Sequence, residues 1–212
     1  MYPVNLKMKG LPCLVIGGGH IAVRKVKKLL LEDAEVTVLA PEISPELMQY
    51  FREKRISWQQ ASYRKGDAKG YRFVVTACGI RQVVEWVHEE SLLQSFLYNA
   101  ADFPPLGNCS LPAAFETGGI HFAISTDGRS PAMAKYVKNW LKSRIPPAFG
   151  VWLDKAALLR EELRNEIADS RDRERFWHMV FDDEIMNLVI TGKLDEAEER
   201  VRNAVGCFRS ES

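Results

Sequence analysis

Three consecutive glycines at positions 17–19 are the residues whose type and spacing most directly indicate chemistry. With Ala22 they form the pattern Gly-x-Gly-x-x-Ala, placed after an apolar stretch and before residues with helical spacing. There the first glycine permits a tight turn, the second lets the backbone approach a pyrophosphate, and a small alanine lets the helix pack closely on a sheet. Amides at the helix N-terminus would face the phosphates. The pattern predicts a bound dinucleotide, with contacts at Gly17, Gly18, Gly19, His20, Ile21 and Ala22.

Alternatives to this prediction remain open in the sequence. A Gly-rich turn that serves only packing would have the same residues, and His20 could touch the pyrophosphate or face solvent. Units that bind NAD commonly carry an acid at the end of the second strand, where it holds the ribose hydroxyls. Here that strand is expected to end at Ala40, and the first acid is Glu42. No arginine lies beside it to favour a 2′-phosphate, so the motif alone does not distinguish NAD from NADP.

The composition argues against several other classes of function. A formal net charge of +1 gives no reason to expect duplex DNA as a partner. No apolar run approaches the roughly 18 residues of a membrane span, and residues 1–10 are too short and polar for a signal peptide. The four cysteines and four histidines are scattered without CxxC or HxxxH spacing, so neither a disulfide framework nor a preformed metal site is expected. These features predict a cytoplasmic protein.

The elements that would position the glycine turn alternate between strand and helix patterns from residue 11 to about 100. Strands are expected at 11–16, 35–40, 72–77 and 96–99. One intervening helix opens at Ser44-Pro45, with serine as cap and proline at the first helical position, and another spans 81–93. This alternation predicts an α/β fold with an N-terminal Rossmann-type, doubly wound parallel sheet.

The pattern changes in the second half of the chain. Strand-like segments at 109–116 and 120–126 flank a Thr117-Gly118-Gly119 turn, and a helix opening at Ser130-Pro131 runs to about Arg144. From about 149 to 208 only helices are expected. We therefore predict a Rossmann domain at 1–112, a central β-hairpin-plus-helix dimerisation segment at 113–147 and a C-terminal all-helical domain at 148–212. The central piece is too small to bury much by itself, so we expect it to pair with a second copy in a homodimer.

Four segments share their order and residue types with one known family. They are GGG-x-x-A-x-R-K ending at Lys25, N-x-x-D-x-P at 99–104, S-[ST]-x-G-x-S-P at 125–131, and Arg175-Phe176-Trp177, which looks like an R-x-F-W helix. On these motifs the chain resembles the bifunctional precorrin-2 dehydrogenase/sirohydrochlorin ferrochelatase family. That family forms the N-terminal half of siroheme synthase in some bacteria and a stand-alone protein in others. A length of 212 residues is expected for the stand-alone form, without the methyltransferase half.

The resemblance implies NAD⁺-dependent oxidation of precorrin-2 to sirohydrochlorin, followed in many members by Fe²⁺ insertion to give siroheme. It implicates Asp102 in both steps and Asn99 as a substrate contact. A carboxylate suits this position, because loss of a hydride must be accompanied by loss of a proton, and Asp102 follows a strand at the carboxyl edge of the predicted sheet. The alternative is that Asp102 is only a turn residue before Pro104-Pro105.

The implied tetrapyrrole substrate carries many carboxylates, so its cleft needs cations or N–H donors. We expect Arg129 and Lys135, near the helix start at Ser130, to meet some of them, although a solvated lysine face would have the same composition. Ser125 and Thr126 are expected as substrate contacts. Strand-end polar groups and a phosphorylation site remain open as alternatives for these two hydroxyls.

One segment departs from the family pattern. Where the family usually has A-T-D-[DN], this chain has Thr76, Ala77, Cys78 and Gly79, which offer the cofactor only small side chains and backbone groups. We expect Thr76, Ala77 and Cys78 to contact NAD. The alternative to an enzyme is a dinucleotide-sensing binding module or a pseudo-enzyme of the same fold without turnover. An enzyme needs Asp102, whereas a sensor should tolerate asparagine there.

Overall fold

The computed structural model describes residues 1–210, except for the side chains at 207, 209 and 210, and divides the chain into two compact units. The first unit spans residues 1–111, and the second begins at residue 112. Among the helices of the described residues, none is both long enough and apolar enough to cross a membrane.

A five-stranded parallel sheet forms the centre of the first unit. Its strands are β1 (Pro12–Ile16), β2 (Glu35–Leu39), β3 (Ser57–Gln59), β4 (Phe73–Thr76) and β5 (Leu97–Ala100), in the spatial order β3-β2-β1-β4-β5. The helices are α1 (His20–Leu31), α2 (Pro45–Arg52) and α3 (Arg81–Gln94), and a short 3-10 helix (Pro104–Leu106) follows β5. This confirms the predicted Rossmann-type sheet. β3 was not predicted, because its three residues include no apolar run.

Two hydrophobic cores cover the two faces of this sheet. Cys13, Val15 and Val75 face α1 and α2, whereas Leu14 and Val74 face α3, and all five are fully buried. Burial on both faces is expected for the central strands of a parallel sheet. The register pairs Ile16 with Leu39 on one side and with Thr76 on the other. The strands therefore end level with one another, and the loops that follow them meet at one edge of the sheet.

The chain that follows β5 returns along the outer edge of that strand. The Tyr98 N–H donates to the Asn108 side-chain oxygen at 2.7 Å, and the Asn108 side-chain amide donates to the Phe96 carbonyl at 3.0 Å. The backbone amides of Asn108 and Cys109 donate to the Tyr98 carbonyl at 3.0 and 3.1 Å. The predicted strand beginning at Cys109 is therefore wrong at its start. Its backbone bonds to β5, and the next strand begins only at Ala113.

The second unit begins with an antiparallel hairpin and continues as helices. Its elements are β6 (Ala113–Thr117), β7 (Ile120–Ile124), α4 (Pro131–Lys142), α5 (Ala148–Glu166), α6 (Ser170–Val180), α7 (Asp183–Ile190) and α8 (Leu194–Ser210). Gly118 and Gly119 lie in the predicted hairpin turn, and both have positive φ angles. The Ser130 hydroxyl caps α4 by accepting the Met133 N–H at 3.2 Å. Phe176, Ile185 and Val201 are fully buried in a separate core among α5–α8.

The hairpin turn packs against the first turn of α5 through two glycines. A Cβ atom on Gly150 would lie 2.3 Å from the Gly118 Cα atom. We expect Gly150→Ala to lower the free energy of unfolding by about 1–3 kcal/mol, because the overlap is with backbone. The matched control is Gly206→Ala in α8, where a Cβ atom would meet nothing within 4 Å. There alanine should raise stability by about 0.5–1 kcal/mol through helix propensity. Urea denaturation measures the stability of both variants. If Gly150→Ala were stabilised as much as Gly206→Ala, the close contact between Gly118 and Gly150 would be contradicted.

Candidate functional site

The turn after β1 contains two glycines, Gly17 and Gly18, at which a side chain would overlap the neighbouring backbone. Gly17 has a φ of +126°, and a Cβ atom there would lie 2.3 Å from the Ala77 carbonyl oxygen. A Cβ atom on Gly18 would lie 1.9 Å from the Glu42 carbonyl oxygen. At Gly19, by contrast, a Cβ atom would meet nothing within 4 Å. The turn is thus packed on its inner side and open at Gly19.

The N-terminus of α1 directly follows this opening. Gly19 is its N-cap and supplies no side-chain hydrogen bond, whereas the Ser44 hydroxyl caps α2 by accepting the Leu47 N–H. The first-turn amides of α1 can therefore serve an anion. His20 is exposed, Ile21 is half-buried and Ala22 is fully buried against the sheet, as the packing role of a small residue requires. The residues present fit the pyrophosphate of a dinucleotide.

The residues at the carboxyl end of β4 lie at the same edge of the sheet as the glycine turn. The Thr76 hydroxyl is fully buried and lies 2.9 Å from the Tyr98 hydroxyl, so this side chain belongs to the core below the edge. Ala77 is 8% exposed, and Cys78 is half-buried. Burial raises the pKa of the Cys78 thiol. Of the three side chains predicted to contact the cofactor here, Cys78 is the one that reaches the surface substantially.

Asp102 lies beyond β5 and beside the exit of β4. One carboxylate oxygen accepts the Gly79 N–H at 2.7 Å, and the side chain is half-buried. Its charge contributes to raising the pKa values of Cys78 and Tyr98, although burial is the larger cause for both. The structure thus places a carboxylate, tied to a backbone amide, at the edge where open α/β sheets bind their ligands. Such a group can accept a proton from a bound substrate.

Lys25 also lies in this region, and its type and spacing do not by themselves predict a role for its side chain. Its ammonium group donates to the Asn99 side-chain oxygen at 3.0 Å, and the Asn99 amide donates to the Cys109 carbonyl at 3.1 Å. Burial, with Lys28 and Arg24, lowers the pKa of Lys25, while Cys109 and Asp102 oppose this. Its position three residues after Ala22, on the inward side of the helix, was the signal available in the sequence.

The remaining predicted site residues lie in the second unit, before and within α4. The Ser125 hydroxyl accepts the Asp127 N–H at 3.1 Å, and the Thr126 hydroxyl accepts the Ser130 N–H at 3.1 Å. Arg129 donates to the Thr126 carbonyl, and its side chain and that of Lys135 are exposed. Both hydroxyls therefore hold the loop that precedes the helix. Across the described residues, the structure groups no three His, Cys, Asp or Glu side chains that could hold a metal ion.

Known proteins match both halves of the chain. Residues 4–113 match a family profile described as putative NAD(P)-binding, and residues 148–205 match one described as the sirohaem synthase dimerisation region. The siroheme synthase of Nitrosococcus oceani is 32% identical over 96% of this chain and 43% of its own length. That of Methylococcus capsulatus is 31% identical over 92% of this chain and 41% of its own length. The chain thus spans about two fifths of these relatives.

A solved structure titled SirC, precorrin-2 dehydrogenase, is similar with a TM-score of 0.75 and 28% sequence identity. The similarity covers 96% of this chain and 98% of that chain, which confirms the predicted fold class. The profile named for dimerisation matches helical residues 148–205, whereas the sequence prediction attached dimerisation to residues 113–147.

Proposed function

Because the chain belongs to the NAD(P)-binding family of siroheme synthase N-terminal parts and precorrin-2 dehydrogenases, we propose that it oxidises precorrin-2 to sirohydrochlorin with NAD⁺. The observation that carries this proposal is the Asp102 carboxylate, held by the Gly79 amide at the same sheet edge as the open glycine turn. A dinucleotide-binding protein without turnover would not need a carboxylate at this position.

Each group of residues has a separate part in the proposed reaction. The turn at Gly17–Gly19 and the first-turn amides of α1 hold the pyrophosphate, and Cys78 lies along the edge beside it. NAD⁺, when bound, supplies the hydride acceptor. Asp102 takes the proton that leaves the substrate, a contribution of about 10²–10⁴-fold for a well-placed general base. The Gly79 N–H fixes one carboxylate oxygen, so the orientation of the base is set before substrate arrives.

The substrate carboxylates require cations, and we assign Arg129 and Lys135 to this role. Both side chains are exposed, and in the described part of the chain neither forms an ion pair with a carboxylate. A charge-assisted hydrogen bond to a substrate carboxylate is stronger than one to a neutral acceptor. Ser125 and Thr126 support this assignment by fixing the loop before α4. The Asn99 side chain is 8% exposed and bonded to Lys25 and to the Cys109 carbonyl, so we assign it to holding the segment beside the substrate instead of to direct contact with the substrate.

We also propose that Fe²⁺ is inserted into sirohydrochlorin in a second step, with the metal as a substrate. Removing the two pyrrole N–H protons needs a base, and we assign this role to the Asp102 carboxylate, which the Gly79 N–H holds and beside which the product of the first step would remain. This extension rests on the same residue as the dehydrogenation, so a single substitution affects both.

We propose a cytoplasmic homodimer. The profile matched by residues 148–205 is named for dimerisation, and α4, which lies in the predicted dimerisation segment 113–147, leaves Met133 53% and Trp140 44% exposed. The cysteines with described side chains, Cys13, Cys78 and Cys109, are free thiols, as a reducing compartment would keep them. Sedimentation equilibrium should give twice the 24.1 kDa of one chain, and a mass of one chain at micromolar concentration would contradict the dimer.

Anaerobic incubation of the protein with NAD⁺ and precorrin-2 generated in situ tests the proposed function. NADH and sirohydrochlorin absorbance should rise together, and omission of NAD⁺ should abolish both signals. A parallel sample with NADP⁺ determines the cofactor preference. Adding Fe²⁺ or Co²⁺ to preformed sirohydrochlorin tests the second step separately. Binding of NAD⁺ without formation of sirohydrochlorin would overturn the proposal in favour of a sensor or pseudo-enzyme.

A further inference from the structure

A hydrogen bond joins the helix of the glycine turn to the strand that precedes the proposed base. The Lys25 ammonium group, on α1, lies 3.0 Å from the side-chain oxygen of Asn99, on β5, although 74 positions separate them in the chain. Resting on the proposed function, we propose that Lys25 is a positioning residue. By holding Asn99, it fixes the segment that carries Asp102 relative to the helix that binds the cofactor.

The Asn99 side chain can transmit this restraint because both of its ends are engaged. Its oxygen accepts from Lys25, and its amide donates to the Cys109 carbonyl at 3.1 Å. The residue is only 8% exposed, so water cannot readily replace a lost partner. A buried polar group that loses its partner is costly, which favours one orientation of this amide. Lys25 therefore holds the carboxyl end of β5 from the α1 side of the sheet.

Two other contacts hold the same segment from different directions. The Ala101 N–H donates to the Thr76 carbonyl at 3.0 Å, and the Gly79 N–H donates to the Asp102 carboxylate at 2.7 Å. Both of these contacts connect the segment to the end of β4. The hydrogen bond from Lys25 connects it to α1, and Ala101 also packs against the apolar core that α1 shares. Without the hydrogen bond, the Asp102 segment would keep its attachment to β4 and this apolar packing but lose its polar link to the cofactor-binding helix.

Lys25 and the glycine turn lie close together along α1, so a restraint at Lys25 can act on the position of the base relative to the cofactor. An α-helix rises 1.5 Å per residue, so Lys25 lies about 9 Å along the axis from Gly19. Less than two turns of helix thus separate the pyrophosphate turn from the residue that restrains Asn99. Because a helix of this length is rigid, it fixes the position of a cofactor bound at the turn relative to that of a base held through Lys25. Hydride and proton loss both depend on such alignment.

Lys25 also brings charge into this region. Burial and the neighbouring Lys28 and Arg24 lower the pKa of Lys25, while Cys109 and Asp102 favour its charged form. A neutral side chain of similar length would fill the space but would neither donate to Asn99 nor attract Asp102. The substitution Lys25→Met therefore separates the hydrogen bond and the charge from the packing of the aliphatic stem.

The test measures kcat, KM and the NAD⁺ dissociation constant in three variants. Lys25→Met should lower kcat by about 10- to 100-fold, as expected for a misplaced reacting group, while the NAD⁺ dissociation constant changes less than about twofold. Lys25→Arg, which keeps a cationic donor, should recover most of the rate. Lys27→Met is the matched control, because Lys27 is exposed on the same helix and carries the same charge. It should leave kcat unchanged.

A double-mutant cycle and a spectroscopic readout complete the test. If Lys25 acts through Asn99, adding Lys25→Met to an Asn99→Ala background should lower kcat little further. The Asn99 side-chain amide signals in ¹H–¹⁵N spectra should shift in Lys25→Met but not in Lys27→Met.

Wild-type kcat in Lys25→Met, or additive effects in the cycle, would overturn the inference. The inference would also fail if Lys25→Met lowered NAD⁺ affinity and thermal stability as much as it lowered kcat, because Lys25 would then be a purely structural residue. If the wild type does not oxidise precorrin-2, the proposed function fails. The Asn99 signals still decide the Lys25–Asn99 link in that case, and unchanged signals in Lys25→Met overturn it.

Discussion

Replacing Asp102 with asparagine is expected to lower kcat for precorrin-2 oxidation by about 10²–10⁴-fold, the usual contribution of a general base. Asparagine has nearly the same shape, and its side-chain oxygen can still accept the Gly79 N–H that the carboxylate accepts at 2.7 Å. The substitution therefore removes the proton acceptor and leaves the local geometry in place. Initial rates of NADH formation measure the loss, and the NAD⁺ dissociation constant should change less than about twofold because the phosphate turn is untouched.

Asp33→Asn is the matched control for this substitution. Asp33 is exposed and has a φ of +55°, a conformation that asparagine adopts as readily as aspartate. The control makes the same chemical change in the same unit and should retain the wild-type rate. If Asp102→Asn also kept most of its activity, the base would have to be another group, and the assignment of Asp102 would fail. Fe²⁺ insertion, measured on preformed sirohydrochlorin, should fall in Asp102→Asn as well.

Alanine at two adjacent glycines of the phosphate turn is expected to have different effects: at Gly18 it should lower stability, and at Gly19 it should lower NAD⁺ affinity. In Gly18→Ala the new Cβ atom would lie 1.9 Å from the Glu42 carbonyl oxygen, which is backbone and cannot simply rotate away. The loop after β2 must shift, and the free energy of unfolding should fall by about 3 kcal/mol. In Gly19→Ala the Cβ atom meets nothing within 4 Å, so stability should change by less than about 0.5 kcal/mol.

The Cβ atom of Gly19→Ala would instead occupy the open side of the turn, where we place the pyrophosphate. NAD⁺ affinity should therefore weaken about tenfold or more, equivalent to ~1.4 kcal/mol. Urea denaturation measures the first effect, and titration calorimetry with NAD⁺ measures the second. Unchanged NAD⁺ affinity in Gly19→Ala would show that the pyrophosphate does not bind at the open side of this turn. Unchanged stability in Gly18→Ala would show that the loop after β2 does not pack on it.

The sheet was predictable because its central strands are short apolar runs between helix patterns and its turns carry strong signals. Ser44 and Ser130 are helix caps in the structure, as their placement before proline predicts. β3 escaped prediction because an edge strand of three residues is specified by its pairing with β2 rather than by its own composition. The predicted strand at Cys109 failed for a similar reason, since the backbone there bonds to β5 instead of to a hairpin partner.

The candidate site was predictable where a motif is continuous in sequence and less so where it is assembled in space. The glycine turn could be found from its spacing, and Asp102 from its motif. The link between Lys25 and Asn99 depends on the Lys25 side chain reaching from α1 to β5, 74 positions away in the chain, which no local pattern specifies. Thr76 was expected to contact the cofactor, but its hydroxyl is buried beside the Tyr98 hydroxyl, because strand residues alternate between the faces of the sheet.

The covered edge of β5 has a consequence for how copies of this protein can associate. An unpaired edge strand is a template on which another chain can add a strand, and proteins that expose one are prone to aggregation. At this edge the Tyr98 amide and the Phe96 and Tyr98 carbonyls are already bonded, partly to the Asn108 side chain, which stands in for the peptide group of a sixth strand. Strand addition at β5 would have to displace these contacts. The fold therefore protects this side of the sheet against edge-to-edge polymerisation without a sixth strand.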